Sequence, residues 1–118
     1  MKILICDDEE LIRNVIKEYC VLEKYEVVEA KNGKEAILKM DKDIDLIIMD
    51  IMMPEMDGVE TLKQLKAIKE FTIPVIALTA DAIVGKKEEY LSAGFDDYLS
   101  KPIDSNELHK ILKKYLQK

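Results

Sequence analysis

Residues 45–58 read DLIIMDIMMPEMDG. Four apolar residues in a row, Leu46 to Met49, predict a strand buried on both faces, and the run ends in a lone carboxylate, Asp50. Pro54 stops such a strand, and Gly58 tolerates a turn at the start of the helical pattern that follows. A charge at the end of a buried strand is costly unless something pairs with it. The rest of the sequence must therefore supply partners for Asp50.

Outward from this stretch the pattern repeats. Strands over Lys2–Cys6, Glu26–Ala30, Leu46–Asp50, Ile73–Thr79 and Asp97–Ser100 alternate with segments of helical period. The helices are expected over Leu11–Leu22, with apolar residues at 12, 15, 16 and 19, over Lys34–Met40, over Val59–Ile68, with Leu62, Leu65 and Ile68 in register, and over Asp81–Ala93. Gly94 fits a left-handed cap after the fourth, and Asp104 with Glu107 gives the last a capping-box-like start. Gly85, inside the fourth helical segment, weakens it by about 1 kcal/mol relative to alanine.

Strands one, three and four are almost wholly apolar, as central strands of a doubly covered parallel sheet must be. Strands two and five are more polar, as edges are. The expectation is a doubly wound α/β fold, (βα)5, with strand order 2-1-3-4-5 and one domain over residues 1–118.

The bulk numbers narrow the function. The 118 residues are 48% hydrophobic and 36% charged, which suits one folded domain with a real core. A net charge of −6 argues against a nucleic-acid surface and fits carboxylates that gather a cation. Cys6 falls in an apolar strand and Cys20 on a helix, so both read as small buried thiols rather than a disulfide frame. The single histidine, His109, gives no histidine metal site. The opening MKILIC is too short for a signal-peptide core, and no apolar run is long enough to span a bilayer, so the expected setting is cytoplasmic.

In such a sheet the ligand crevice lies beyond the strand C-termini, where the winding reverses between strands one and three. Strand one ends in Asp7 and Asp8, strand three in Asp50, strand four in Thr79, and strand five in Lys101 followed by Pro102. Three converging carboxylates resist ionisation unless a cation holds them, and Mg2+ favours oxygen ligands of this kind. Around it, a carboxylate can act as nucleophile toward phosphorus while a lysine and a hydroxyl neutralise phosphoryl oxygens. Each residue alone has a plainer reading. Asp8 can be a helix N-cap, Thr79 a strand end, Lys101 a solvated lysine, and the second acidic pair, Asp96–Asp97, a turn. The combination carries the chemistry.

The motifs LICDDEELIR, LIIMDIMMPEMDG, VIALTADA and GFDDYLSKPI stand at successive strand ends, and together they resemble the receiver domains of two-component response regulators over essentially the whole chain. The resemblance implies a flavodoxin-like fold and a phosphoacceptor at Asp50. It implies Mg2+ bound by Asp7, Asp8, Asp50 and the backbone carbonyl of Met52, with Thr79 and Lys101 on the phosphoryl oxygens. It places Tyr98 at an aromatic switch position beside the small Ala80, and a cis peptide at Lys101–Pro102. It places Ile12, one turn after the acids, where receivers touch a phosphodonor helix. The implied partners are a histidine kinase or histidine phosphotransfer protein and a downstream protein effector, with no nucleic acid or membrane bound directly, in a monomer or a weak phosphorylation-dependent dimer. The domain is then a signalling module without an output domain and not an enzyme acting on outside substrates. Met52 brings no polar group to orient a hydrolytic water, whereas Asp81 can, so an intermediate phosphate lifetime is expected.

Other functions fit less well. A phosphatase of the haloacid-dehalogenase type needs an acid two residues after its nucleophile, where this chain has Met52. A flavodoxin-like FMN binder needs a Ser/Thr/Gly-rich phosphate loop after strand one, where CDDEE repels phosphate. A pseudo-receiver binding module would not need the full acid, hydroxyl and lysine set. A receiver excised from a hybrid kinase or a longer regulator remains a second reading within the family.

Overall fold

A computed structural model of the protein describes residues 1–80 and 86–116. Asp81 and Gly85, with the roles expected for them, lie outside the described residues. The chain alternates β1 (Lys2–Cys6), α1 (Glu10–Leu22), β2 (Glu26–Ala30), α2 (Gly33–Lys39), β3 (Ile44–Asp50), α3 (Gly58–Lys66), β4 (Val75–Thr79), α4 (Lys86–Ala93), β5 (Asp97–Ser100) and α5 (Ser105–Tyr115). The five strands form one parallel sheet in the order β2-β1-β3-β4-β5. This is the doubly wound, flavodoxin-like fold.

Alternation along the strands divides the core in two. Ile3, Ile5, Leu46, Ile48, Ile76, Leu78 and Leu99 point to one face, where Ile16 and Cys20 of α1 and Leu108, Ile111 and Leu112 of α5 cover them. Leu4, Cys6, Ile47, Met49, Val75 and Ala77 point to the other, under Ala36 of α2 and Leu62 and Leu65 of α3. With both faces covered, the central strands need no polar positions. Leu46–Met49 is wholly buried for this reason.

Several boundaries differ from the expectation. β3 starts two residues earlier, at Ile44, while β4 starts at Val75 rather than Ile73. Pro74 has no N–H to give the ladder, although its carbonyl still accepts from Ile47 N at 3.0 Å. α3 ends at Lys66, so Ile68 lies beyond it and is exposed rather than in the core stripe. On α1 the core stripe runs through Ile16 and Cys20, with Ile12 and Tyr19 half-buried beside it, and Val15 stands off it in solvent.

Gly94 does cap α4, at φ +114. Its N–H bonds Leu91 O, and the N–H of Phe95 bonds Tyr90 O, both at 3.1 Å, which closes the helix end. Asp104 caps α5 by accepting from Asn106 N and Glu107 N. Gly58 has a different reason from the one expected. It is the first residue of α3 with no left-handed backbone, and a Cβ there would lie 2.4 Å from Asp50 O and 2.9 Å from Ile51 Cα. The glycine lets α3 start against the end of β3, where the site is. Asp57 caps that start, accepting from Glu60 N at 2.9 Å.

Candidate phosphoryl and metal site

Parallel strands all end on one edge of the sheet, so the residues after β1, β3, β4 and β5 meet there. The buried carboxylates of Asp7 and Asp50 share one cation: Lys101 Nζ stands 3.2 Å from Asp7 Oδ2 and 3.3 Å from Asp50 Oδ1. Lys101 reaches them from the end of β5, where its peptide bond to Pro102 is cis and its N–H bonds Thr79 O at 2.8 Å. Exposed Glu9 adds a third carboxylate to the same ammonium at 3.8 Å.

The loop after β1 is held from several sides. Asp7 Oδ1 accepts from Glu9 N at 2.8 Å, and the Asp7 N–H bonds Ala30 O of β2 at 3.1 Å. Arg13 of α1 donates to the Asp7 carbonyl at 2.6 Å and pairs with Glu29 of β2 at 3.3 Å. The N-cap of α1 is Glu9, not Asp8, and its side chain makes no capping bond. Asp8 is therefore free of the plainer role considered for it, and it faces solvent.

The electrostatics follow from burial. Desolvation, with the Asp7 charge adding to it, pushes Asp50 up to about 7 despite Lys101 and the Met52 N–H pulling it down. Burial likewise raises Asp7. Lys101 is pulled down by its own burial, but Asp50 and Asp7 outweigh this and lift it above the ordinary lysine range. One ammonium does not neutralise the set. Asp50 Oδ2 is buried with no hydrogen-bond partner among the described residues. Ligand oxygens of Asp7, Asp8 and Asp50 all lie within 4.8 Å of one another. An all-oxygen, carboxylate-rich donor set with an unsatisfied buried oxygen fits a hard divalent cation such as Mg2+.

The remaining expected residues fall as follows. Met52 N–H donates to Asp50 Oδ1 at 3.2 Å, while its side chain is exposed. Met53 packs, with Cys6 Sγ 3.6 Å from its sulfur. Burial pushes both Cys6 and Cys20 up to about 12, which suits inert core thiols. Thr79 is buried at the end of β4, and its hydroxyl lies 3.1 Å from the hydroxyl of Tyr90 on α4. Ala80 beside it is exposed, and Tyr98 of β5 is half-buried against the core. Ile12 is half-buried and lines an apolar hollow with Leu11, Val15, Pro102 and Ile103, next to Lys101.

Sequence reasoning missed Glu9 and Arg13 as neighbours of the acids, Tyr90 as a neighbour of Thr79, and Gly33. A Cβ on Gly33 would lie 2.3 Å from Thr61 Oγ1, so α2 and α3 depend on it for close packing. Arg13 was legible in principle, since it lies on α1 one and a half turns beyond the acids. Tyr90 was not, because its reach to Thr79 depends on where α4 docks.

Comparison with known proteins agrees with this geometry. The family model described as the response regulator receiver domain matches residues 3–113. The transcriptional regulatory protein ResD of Bacillus subtilis is 41% identical over 108 residues, covering 91% of this chain and 44% of its own length. The chain spans about half the length of the curated relatives it matches. Among solved structures, chemotaxis protein CheY4 of Vibrio cholerae superposes with a TM-score of 0.89 at 33% identity, over 98% of each chain. The receiver domain of sensor histidine kinase PA1611 of Pseudomonas aeruginosa, solved with magnesium coordinated in its active-site cleft, superposes with a TM-score of 0.87 at 32% identity, over 99% of this chain and 98% of that one. Among the described residues no helix is long and apolar enough to cross a membrane.

Proposed function

The chain belongs to the response regulator receiver family, and from that premise we propose that Asp50 accepts a phosphoryl group from a phosphohistidine on a histidine kinase or histidine phosphotransfer protein, in a Mg2+-dependent reaction. The observation that carries this reading is Asp50 itself: a buried carboxylate with one oxygen paired to Lys101 and the other without a hydrogen bond among the described residues. A purely structural aspartate would have both oxygens satisfied.

In the proposed reaction an Asp50 oxygen attacks phosphorus in line. The new O–P bond forms as the P–N bond to the donor imidazole breaks, and the imidazole nitrogen leaves with the electron pair and takes a proton. Lys101 stays beside the acceptor and stabilises charge on the transferring oxygens. Asp7, Asp8 and Asp50, with the Met52 carbonyl, would hold Mg2+, which when bound supplies charge neutralisation for the phosphoryl group. Arg13 and the Glu9 N–H keep the Asp7 loop in place. Thr79 then donates its hydroxyl to the phosphoryl group, moves inward past Ala80, and leaves room for Tyr98 to turn in. The face made by α4, β5 and α5 changes, and a protein effector reads it. The apolar hollow of Leu11, Ile12, Val15 and Ile103 beside the site suits the donor's helix.

Intact mass after incubation with acetyl phosphate and Mg2+ tests the reading. One added phosphoryl group, absent in Asp50→Asn and in EDTA, is the expected result. Equal addition to the variant or in EDTA would remove it. The donor surface has its own test: Ile12→Glu slows transfer from a protein donor and leaves acetyl phosphate labelling unchanged.

A further inference from the structure

Thr79 does not stand alone at the edge of the site. Its Oγ1 lies 3.1 Å from the phenol oxygen of Tyr90, on α4 (Lys86–Ala93). That phenol is held in place from its other end. The Tyr90 ring meets Phe95 edge-on, with 6.4 Å between centroids and 89° between planes. Phe95 is buried in the core, and its N–H bonds the Tyr90 carbonyl at 3.1 Å through the Gly94 turn. Tyr90 is thus a fixed anchor, built from the same residues that terminate α4.

A threonine hydroxyl has one proton, and its direction is set by a stiff χ1. If Thr79 donates to Tyr90, it has no proton for a phosphoryl oxygen. If it accepts from Tyr90, its rotamer is still tied to the phenol. In either arrangement the contact favours the rotamer seen here. We propose that Tyr90 is a positioning residue that latches the Thr79 hydroxyl in its resting position, so that binding of a phosphoryl group at Asp50 must break the Thr79–Tyr90 bond. The proposal rests on the reading of Thr79 as the hydroxyl that meets the phosphoryl group. The α4 end keeps its own ties through Phe95 and the Gly94 turn, so the group released is the Thr79 hydroxyl, against a phenol that stays in place.

Beryllofluoride with Mg2+ serves as the probe, titrated by NMR into wild type, Tyr90→Phe, Thr79→Val and the double variant. Phenylalanine keeps the ring contact with Phe95 and removes only the hydroxyl. Loss of one neutral hydrogen bond from the resting state makes Tyr90→Phe bind about 2- to 10-fold more tightly than wild type. The same change made on Thr79→Val has no effect. Unchanged or weaker binding, or an equal gain without the Thr79 hydroxyl, overturns the latch. A second measurement needs no anion. Three-bond couplings to the Thr79 methyl group report one χ1 rotamer in the free wild type and averaging in Tyr90→Phe; one rotamer in both overturns the latch. A wild type that binds no beryllofluoride overturns the phosphoacceptor reading instead, and the couplings then decide the latch on their own.

Discussion

The Lys101 ammonium reaches from the end of β5 across β4 to stand 3.3 Å from the Asp50 carboxylate at the end of β3. Under the proposed function the same cation has two opposed roles: it would stabilise charge on the acceptor, and it would compete with a metal ion for the same carboxylates.

Lys101→Gln separates these effects. Phosphorylation by acetyl phosphate, followed by intact mass, should slow by about 100-fold, the usual cost of losing one charge stabiliser at a transferring group. Mg2+ affinity, followed by NMR titration, should rise, because a like charge has left the site. Loss of rate together with loss of Mg2+ binding would mean that Lys101 only holds the loop together.

Asp50→Asn should stabilise the metal-free protein at neutral pH. The folded-state pKa of Asp50 is raised from 3.8 to about 7 by burial, so its protonated form is the one the fold prefers. That contribution is fully present below about pH 4 and is lost as pH rises through about 7. The gain from asparagine is therefore near zero at pH 4 and grows to about 4 kcal/mol at pH 8. Denaturant unfolding in EDTA across this range checks it. A gain that shrinks as pH rises would contradict the assignment of the strain to Asp50.

Gly58→Ala should damage the site through the backbone. An added Cβ at 2.4 Å from Asp50 O forces α3 away from the end of β3, at a cost of about 2 kcal/mol or more. Unfolding stability and the Mg2+ titration should both worsen. An unchanged stability would show that α3 can shift freely.

The two acidic pairs should behave oppositely. Asp96 Oδ2 accepts from Val75 N at 2.8 Å, tying the turn before β5 to the start of β4. Asp96→Ala should cost about 1–2 kcal/mol of stability and leave phosphorylation intact. Asp8→Asn should leave stability nearly unchanged and weaken Mg2+ binding, since Asp8 is exposed and caps nothing. Unfolding curves and metal titrations of the two variants decide it.

The contrast between these pairs shows how far the sequence could be read. Leu46–Met49 and Lys2–Cys6 announced central strands because burial on both faces leaves no polar position, and the order of strands followed from that. The carboxylates of Asp7, Asp8 and Asp50 and the lysine at 101 were legible because each stands at the C-terminal end of a strand or just beyond it, and parallel strands end together. Helix ends and face assignments were less so. Val15 and Ile68 are as apolar as Ile16 and Leu65, yet α1 buries the stripe through Ile16 and Cys20 and α3 ends at Lys66, which leaves both exposed. Gly58 was noticed for the wrong reason, since a clash with Asp50 O depends on where two elements meet rather than on a turn type. The Thr79–Tyr90 contact belongs to the same class, set by tertiary placement alone.

Asp50 is the residue proposed to carry the phosphoryl group. Borohydride reduction converts an aspartyl phosphate to homoserine and marks its position permanently. After labelling with acetyl phosphate and Mg2+, reduction and peptide mass mapping should place homoserine at residue 50. Homoserine at Asp7 or Asp8, or at no carboxylate in a protein whose intact mass shows the phosphoryl group, would contradict the account.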